Sequence, residues 1–122
     1  MKKLKTKWFN KWAKKKNISD NKLLESIENI ENSHSAVNLG GSIFKVRISL
    51  PDKGKSSGFR TIVIYREYER VVIVYGFSKN EQENISKSEL QHFKKMAKDI
   101  LALDVKTLEK AIEQNIFISI GE

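Results

Sequence analysis

FKVRISLPDKGKSSGFRTIVIYREYERVVIVYGF (Phe44–Phe77) is the stretch that decides the fold. Its first seven residues alternate: Phe44, Val46, Ile48 and Leu50 are apolar, while Lys45, Arg47 and Ser49 are polar. That period of two belongs to a strand with one buried face. PDKGKSSG is a turn-rich connection, Phe59–Arg66 reads as a second strand, EYER as a tight link and Val71–Phe77 as a third strand. Short links between consecutive strands imply an antiparallel meander. Pairing Ser49 with Arg60 across the first link puts Phe44, Val46, Ile48, Phe59, Thr61 and Val63 on one face, for helices to cover. Lys45, Arg47 and Arg60 fall on the other. Carrying the pairing across EYER brings Tyr75 and Phe77 to that second face. Lys53 and Lys55 arch above it, and Lys79 lies just past the third strand.

Outward from the meander the period becomes helical. Before it, Trp8, Phe9, Trp12 and Ala13 recur at helical spacing, predicting an amphipathic helix from about Lys7 to Lys15. Ser19 can cap a second helix along Leu23, Ile27 and Ile30, with Ile18 and Leu23 spaced as a hydrophobic staple. The two form a helical hairpin, and Glu31–Gly41 is a polar loop. Trp8 and Trp12 are expected in the core. After the meander, Ser86 and Glu89 make a capping box for a helix carrying Leu90, Phe93, Ala97, Ile100 and Leu101 on one face. Asp104 caps a shorter helix, and IFISI ends the chain as a last strand. The expected architecture is one α+β domain over residues 1–122. An N-terminal helical hairpin packs on an antiparallel three-to-four-stranded sheet, with one or two C-terminal helices.

Composition bounds the function. The chain has 122 residues, enough for one modest core, and 31% are charged. Without cysteine it has no disulfide, thiol nucleophile or zinc ribbon. The longest apolar run is too short to cross a bilayer, and no apolar run follows the first lysines, so neither a membrane nor a secretory signal is expected. The net charge of +8 is concentrated: the first sixteen residues hold eight lysines and no acid, and the rest of the chain is balanced. Between Gly41 and Arg66 a second basic segment faces only Asp52. Two basic segments in a small domain point to a polyanion, because neutralising phosphates releases condensed counterion.

A sheet face bearing Lys45, Arg47, Arg60, Tyr75 and Phe77 is suited to RNA: cations hold phosphates and aromatic rings stack bases. RNA cleavage can use the substrate's own 2′-OH as nucleophile. The protein then supplies a base, an acid and cations for the charge on the phosphorane. Arg60 is the candidate for phosphate stabilisation, because a guanidinium forks onto two oxygens. Lys45 or Lys79 is the candidate acid or base. His34, in a polar loop, and His92, on the long C-terminal helix, are assigned to the surface. No residues have metal-ligand spacing, and neither a phosphate-binding glycine loop nor a Ser/His/Asp set is suggested, so no cofactor or metal is expected.

LGGSIFKVRI (Leu39–Ile48), GKSSGFRTIVIYR (Gly54–Arg66), VVIVYGFSKNEQENIS (Val71–Ser86) and TKWFNKWAKK (Thr6–Lys15) closely resemble the RelE/HigB toxins of type II toxin–antitoxin pairs. The resemblance spans nearly the whole chain, in the same order of elements. It implies a ribosome-dependent endoribonuclease (an mRNA interferase) that is metal-independent, inhibits translation in the cytoplasm and is neutralised by a cognate antitoxin. Its partners would be that antitoxin, the ribosome and mRNA. The family's two alternating basic residues match Lys45 and Arg47, and the arginine after a Gly-aromatic pair matches Arg60. The basic residue after the third strand matches Lys79 better than Asn80. A tyrosine of some members falls at or near Ser86, which cannot stack on a base, so the acid–base assignment does not transfer. Two alternatives stay open: a non-catalytic toxin on the same scaffold, like the ParE gyrase poisons, and a simple nucleic-acid-binding module.

Overall fold

The alternating stretch forms the strands its pattern demands. In the computed structural model, which describes residues 1–32, 35–48 and 58–121, β3 (Ile43–Ile48), β4 (Phe59–Arg66) and β5 (Arg70–Ser78) pair in antiparallel succession. With these numbered in chain order, β1 (Lys2–Thr6), α1 (Lys7–Lys15), α2 (Asp20–Glu31) and β2 (Ala36–Gly40) precede them. α3 (Lys87–Ala102), α4 (Val105–Glu113) and β6 (Phe117–Ser119) follow. Arg60 pairs with Arg47, not Ser49. A register shift of two leaves every side chain on its expected face, because the strand period is two. Across the next pairing Arg60 lies opposite Phe77, and Ile62 opposite Tyr75.

The sheet is larger than the meander. Its order is β2-β3-β4-β5-β1-β6, with β1 parallel to β5 and antiparallel to β6. The antiparallel three-to-four-stranded sheet is therefore corrected to a six-stranded mixed one. β2, expected as polar loop, pairs with β3 along one edge. β1, a lysine-rich segment with no strand expected in it, lies in the sheet interior. There Leu4 is fully buried, and Lys5 reaches the other face to Asp20, Nζ to Oδ1 at 2.8 Å. That ion pair lets a KKLKT segment live inside a sheet.

Helices cover both faces. α1 and α2 bury Phe9, Ala13, Leu23, Ile27 and Ile30 against Val46, Ile48, Phe59, Val63, Val71 and Ile73. On the opposite side α3 and α4 bury Phe93, Ala97, Ile100 and Leu108 against Ile43, Ile62, Ile64, Val72, Val74 and Phe77. Val71 to Val74 are all buried, which explains why β5 is apolar without alternation. Each N-terminal helix packs on the sheet, α1 mainly on β5 and α2 on β3, so the helical hairpin is not the organising unit.

The caps follow the sequence. Thr6, Ser19 and Asp104 accept from the backbone N–H of Phe9, Lys22 and Thr107, and Ser86 with Glu89 forms the full capping box. The last turn of α3 has no basic residue of its own. Its carbonyls are met from the sheet instead: Arg70 Nη1 donates to Ile100 O at 2.9 Å and Arg66 Nη1 to Leu101 O at 3.3 Å. Those guanidinium groups fix the direction of α3, and with it the loop that enters the helix beside the basic cleft.

Candidate functional site

One end of the sheet gathers the basic residues. Lys45 of β3, Arg60 of β4 and Lys79, just beyond β5, line an open cleft of about 600 Å³ with Glu83 and Asn84. The meander explains the gathering. Lys45 and Arg47 sit two apart on one strand face, and Arg60 is the direct cross-strand partner of Arg47. The first residues of β4 then meet the end of β5, where Lys79 N–H donates to Gly58 O at 3.4 Å. Gly58 is buried between the two arginines: a Cβ there would lie 3.5 Å from Arg60 Nη1, 3.8 Å from Arg47 Nε and 3.3 Å from Ile48 O. Both guanidinium groups thus converge on one backbone point.

The cleft is strongly cationic. Burial first, and then the charge of Arg47, hold the Arg60 guanidinium below the ordinary arginine value. Among the described residues no carboxylate lies within 4 Å of the charged atoms of Lys45, Arg60 or Lys79. Lys45 is held by the neutral Asn84, Nζ to Oδ1 at 3.3 Å. The loop after β5 is itself well tied. Ser78 O accepts from the N–H groups of Glu81 and Gln82, and Asn84 Oδ1 also accepts from Ile85 N–H. Gln82 Nε2 donates to Asn84 O and to Glu89 Oε1, both at 2.9 Å, and Tyr75 OH donates to Gln82 Oε1 at 3.0 Å.

Several expected residues lie elsewhere. Phe77 is 4% exposed and belongs to the second core, so it offers no stacking face. Tyr75 is half-buried among the rings of Trp8, Phe77 and Phe93. Both were expected on an open sheet surface, but α3 lies over that surface, burying Phe77 and covering part of Tyr75. Asn80 is exposed in the turn after β5, its N–H on Ser78 Oγ, and does not line the cleft. Lys53, Lys55 and His34 lie outside the described residues. His92 is exposed on α3, as expected, and away from the cationic cleft. Trp12 packs against Phe9 and Phe59, whereas Trp8 is 50% exposed, so only Trp12 is a core residue. Sequence reasoning missed Glu83 and Asn84; the signal was the polar run between the third strand and the capping box.

Among the described residues no group of three His, Cys, Asp or Glu could hold a metal ion, and no helix is long and apolar enough to cross a membrane. Comparison with known families settles the class. The model described as the RelE toxin of the RelE / RelB toxin-antitoxin system matches residues 1–120. The chain belongs to the RelE toxin family. No curated protein shows significant similarity to it. As a RelE toxin it is one half of a toxin–antitoxin pair, and its family implies a cognate antitoxin as partner. In RelE terms the cleft sits where the meander's first two strands meet the loop leading to α3.

Proposed function

We propose that this RelE toxin is a ribosome-dependent endoribonuclease that cleaves mRNA and so inhibits translation in the cytoplasm, with Lys45, Arg47, Arg60 and Lys79 as its working cations. The observation that carries the reading is the gathering of Lys45, Arg60 and Lys79 around one cleft, with Arg47 directly opposite Arg60 on the neighbouring strand. A phosphate seated in the cleft meets several cations at once, and guanidinium groups bind its oxygens in forks.

The chemistry needs no protein nucleophile. The ribose 2′-oxygen attacks the adjacent phosphorus and the bond to the 5′-oxygen breaks, leaving a 2′,3′-cyclic phosphate and a free 5′-hydroxyl. Glu83, the anionic group among the lining residues, accepts the 2′-OH proton. Lys45, oriented by Asn84, or Lys79 returns a proton to the departing 5′-oxygen. Arg60 and Arg47 stabilise the extra negative charge on the phosphorane, an electrostatic role worth about a hundredfold or more in rate.

Inducing the gene and mapping mRNA ends tests the reading. New 5′-hydroxyl ends inside translated messages, absent on unprogrammed RNA, are expected. Growth arrest without new mRNA ends overturns it.

A further inference from the structure

Near the cationic cleft lies a second, mostly apolar opening of about 530 Å³, with Trp8, Tyr75, His92, Phe93 and Met96 in its walls, together with the Glu89 carboxylate, whose Oε1 accepts from Gln82 Nε2 and Ser86 N–H. Its volume falls in the range of about 300–1,000 Å³ usual for small-ligand sites. The indole of Trp8 stacks on Tyr75 with centroids 4.9 Å apart and planes 22° apart, and it remains half-exposed. A half-exposed, stacked tryptophan beside an exposed imidazole is a flat apolar platform with polar edges. The cleft described above leaves it unused.

We propose that this slot is a subsite for one unpaired nucleobase of the bound RNA strand. The inference rests on the RNA-cleaving reading for the identity of the strand, and two observations favour a base over a protein side chain. The first is continuity. A hydrogen-bonded chain, Tyr75 OH to Gln82, Gln82 to Asn84 O and Lys45 Nζ to Asn84, links a wall of the slot to a wall of the cationic cleft. A strand whose phosphate sits on Lys45 and Arg60 crosses that chain to place a neighbouring base against Trp8. The second is charge. Trp8 projects from a helix whose Lys7, Lys11, Lys14 and Lys15 are all exposed and which contains no acid. Those lysines attract the backbone of a nucleic acid while the aromatic walls accept its base without regard to sequence.

The test is a titration of the full-length toxin with a short 2′-O-methyl RNA, which binds but lacks the nucleophile, read by tryptophan emission. Trp12 is partly buried and stacks on Trp8 with centroids 6.4 Å apart, so the Trp8 signal is the part of a saturable change that Trp8→Leu removes and Trp12→Phe keeps. Trp8→Leu should remove most of the signal and, followed by anisotropy of a labelled strand, weaken binding roughly five- to a hundredfold, the usual loss for one stacked base. Trp8→Phe should recover most of the affinity. His92→Ala, at an exposed position on α3, should weaken binding several-fold while leaving the melting temperature nearly unchanged. Wild-type affinity in folded Trp8→Leu and His92→Ala, or an RNA that binds without perturbing Trp8, overturns the proposal. So does a Trp8→Leu protein that loses its antitoxin while holding RNA normally, which would give the slot to the protein partner. Because the probe is uncleavable, the titration decides the slot alone, and wild-type cleavage on ribosomes decides the enzymatic reading separately.

Discussion

Replacing Arg60 with Gln should make the free toxin more stable and nearly inactive. Arg60 faces Arg47 directly across β3 and β4, and its guanidinium is partly buried. Removing one of two opposed like charges relieves about 0.2–1 kcal/mol. At about 2.1 cal/mol/K per residue the chain's unfolding entropy is about 0.26 kcal/mol/K, so Tm should rise by about 1–4 °C. The same change removes charge stabilisation needed mainly in the transition state, for which roughly a hundredfold slower cleavage is reasonable. Arg60→Lys should recover little activity, since an ammonium cannot reproduce the fork. Calorimetry of the free protein and single-turnover cleavage on programmed ribosomes measure the two effects on one sample. A well-folded Arg60→Gln enzyme cutting at the normal rate would refute the assignment. A Tm that falls by 10 °C or so, the loss of about 2.5 kcal/mol on the same scale, would show that Arg60 is structural.

Asp20→Asn should lower stability at neutral pH. Burial pushes the Asp20 carboxyl up, but the Lys5 hydrogen bond, the Gly121 N–H and the charges of Lys5 and Lys14 outweigh it and leave it below the ordinary value. A depressed pKa contributes stability above the unfolded value of about 4 that is lost as pH falls through the folded one, so the gap between variant and wild-type melts should close below about pH 4. Gly76→Ala should cost about 1–3 kcal/mol, read in a denaturant melt, because its Cβ would lie 2.4–2.7 Å from the Trp12 ring. Changing exposed Lys7, Lys11 and Lys15 to Gln should lower the salt slope of ribosome binding by about one unit or less per lysine while leaving cleavage by saturated complexes nearly intact. Lys5 is excluded from that set because it is buried on Asp20. Toxin stripped with a chelator and returned to untreated ribosomes should keep full activity, since among the described residues no group of three His, Cys, Asp or Glu could hold a metal ion; activity restored by only one metal would contradict this.

The helices were legible because their signals are local. Each start carries a side chain that closes on its own first turn, as Ser19 and Ser86 do. The meander was legible because apolar residues alternate on β3 and short links join β3, β4 and β5. β1 was not, since one buried leucine between lysines makes no pattern, and its strand partners β5 and β6 lie far along the chain. β2 is an edge strand with Val37 and Asn38 exposed, so nothing periodic marks it. The site was half legible. Strand parity put Lys45, Arg47 and Arg60 together even with the register two residues off. The same parity gave Tyr75 and Phe77 to an open surface, because a sequence does not say which face a later helix will cover. Glu83 and Asn84 enter through a loop whose path is set by Gln82, Glu89 and Tyr75 together.

The interior position of β1 also fixes when the molecule can exist during synthesis. Lys2 waits for Arg70 and Thr6 for Phe117 before either side of the strand is paired. Such non-local pairing delays folding, because a long loop must close before its contacts form. A nascent chain that ends at Asn84 holds every lining residue of the basic cleft but still lacks α3, α4 and the edge strand β6. Messages cut short upstream of Phe117 should therefore yield chains in which β1 is paired on one side only, with a lower melting temperature than the full-length protein.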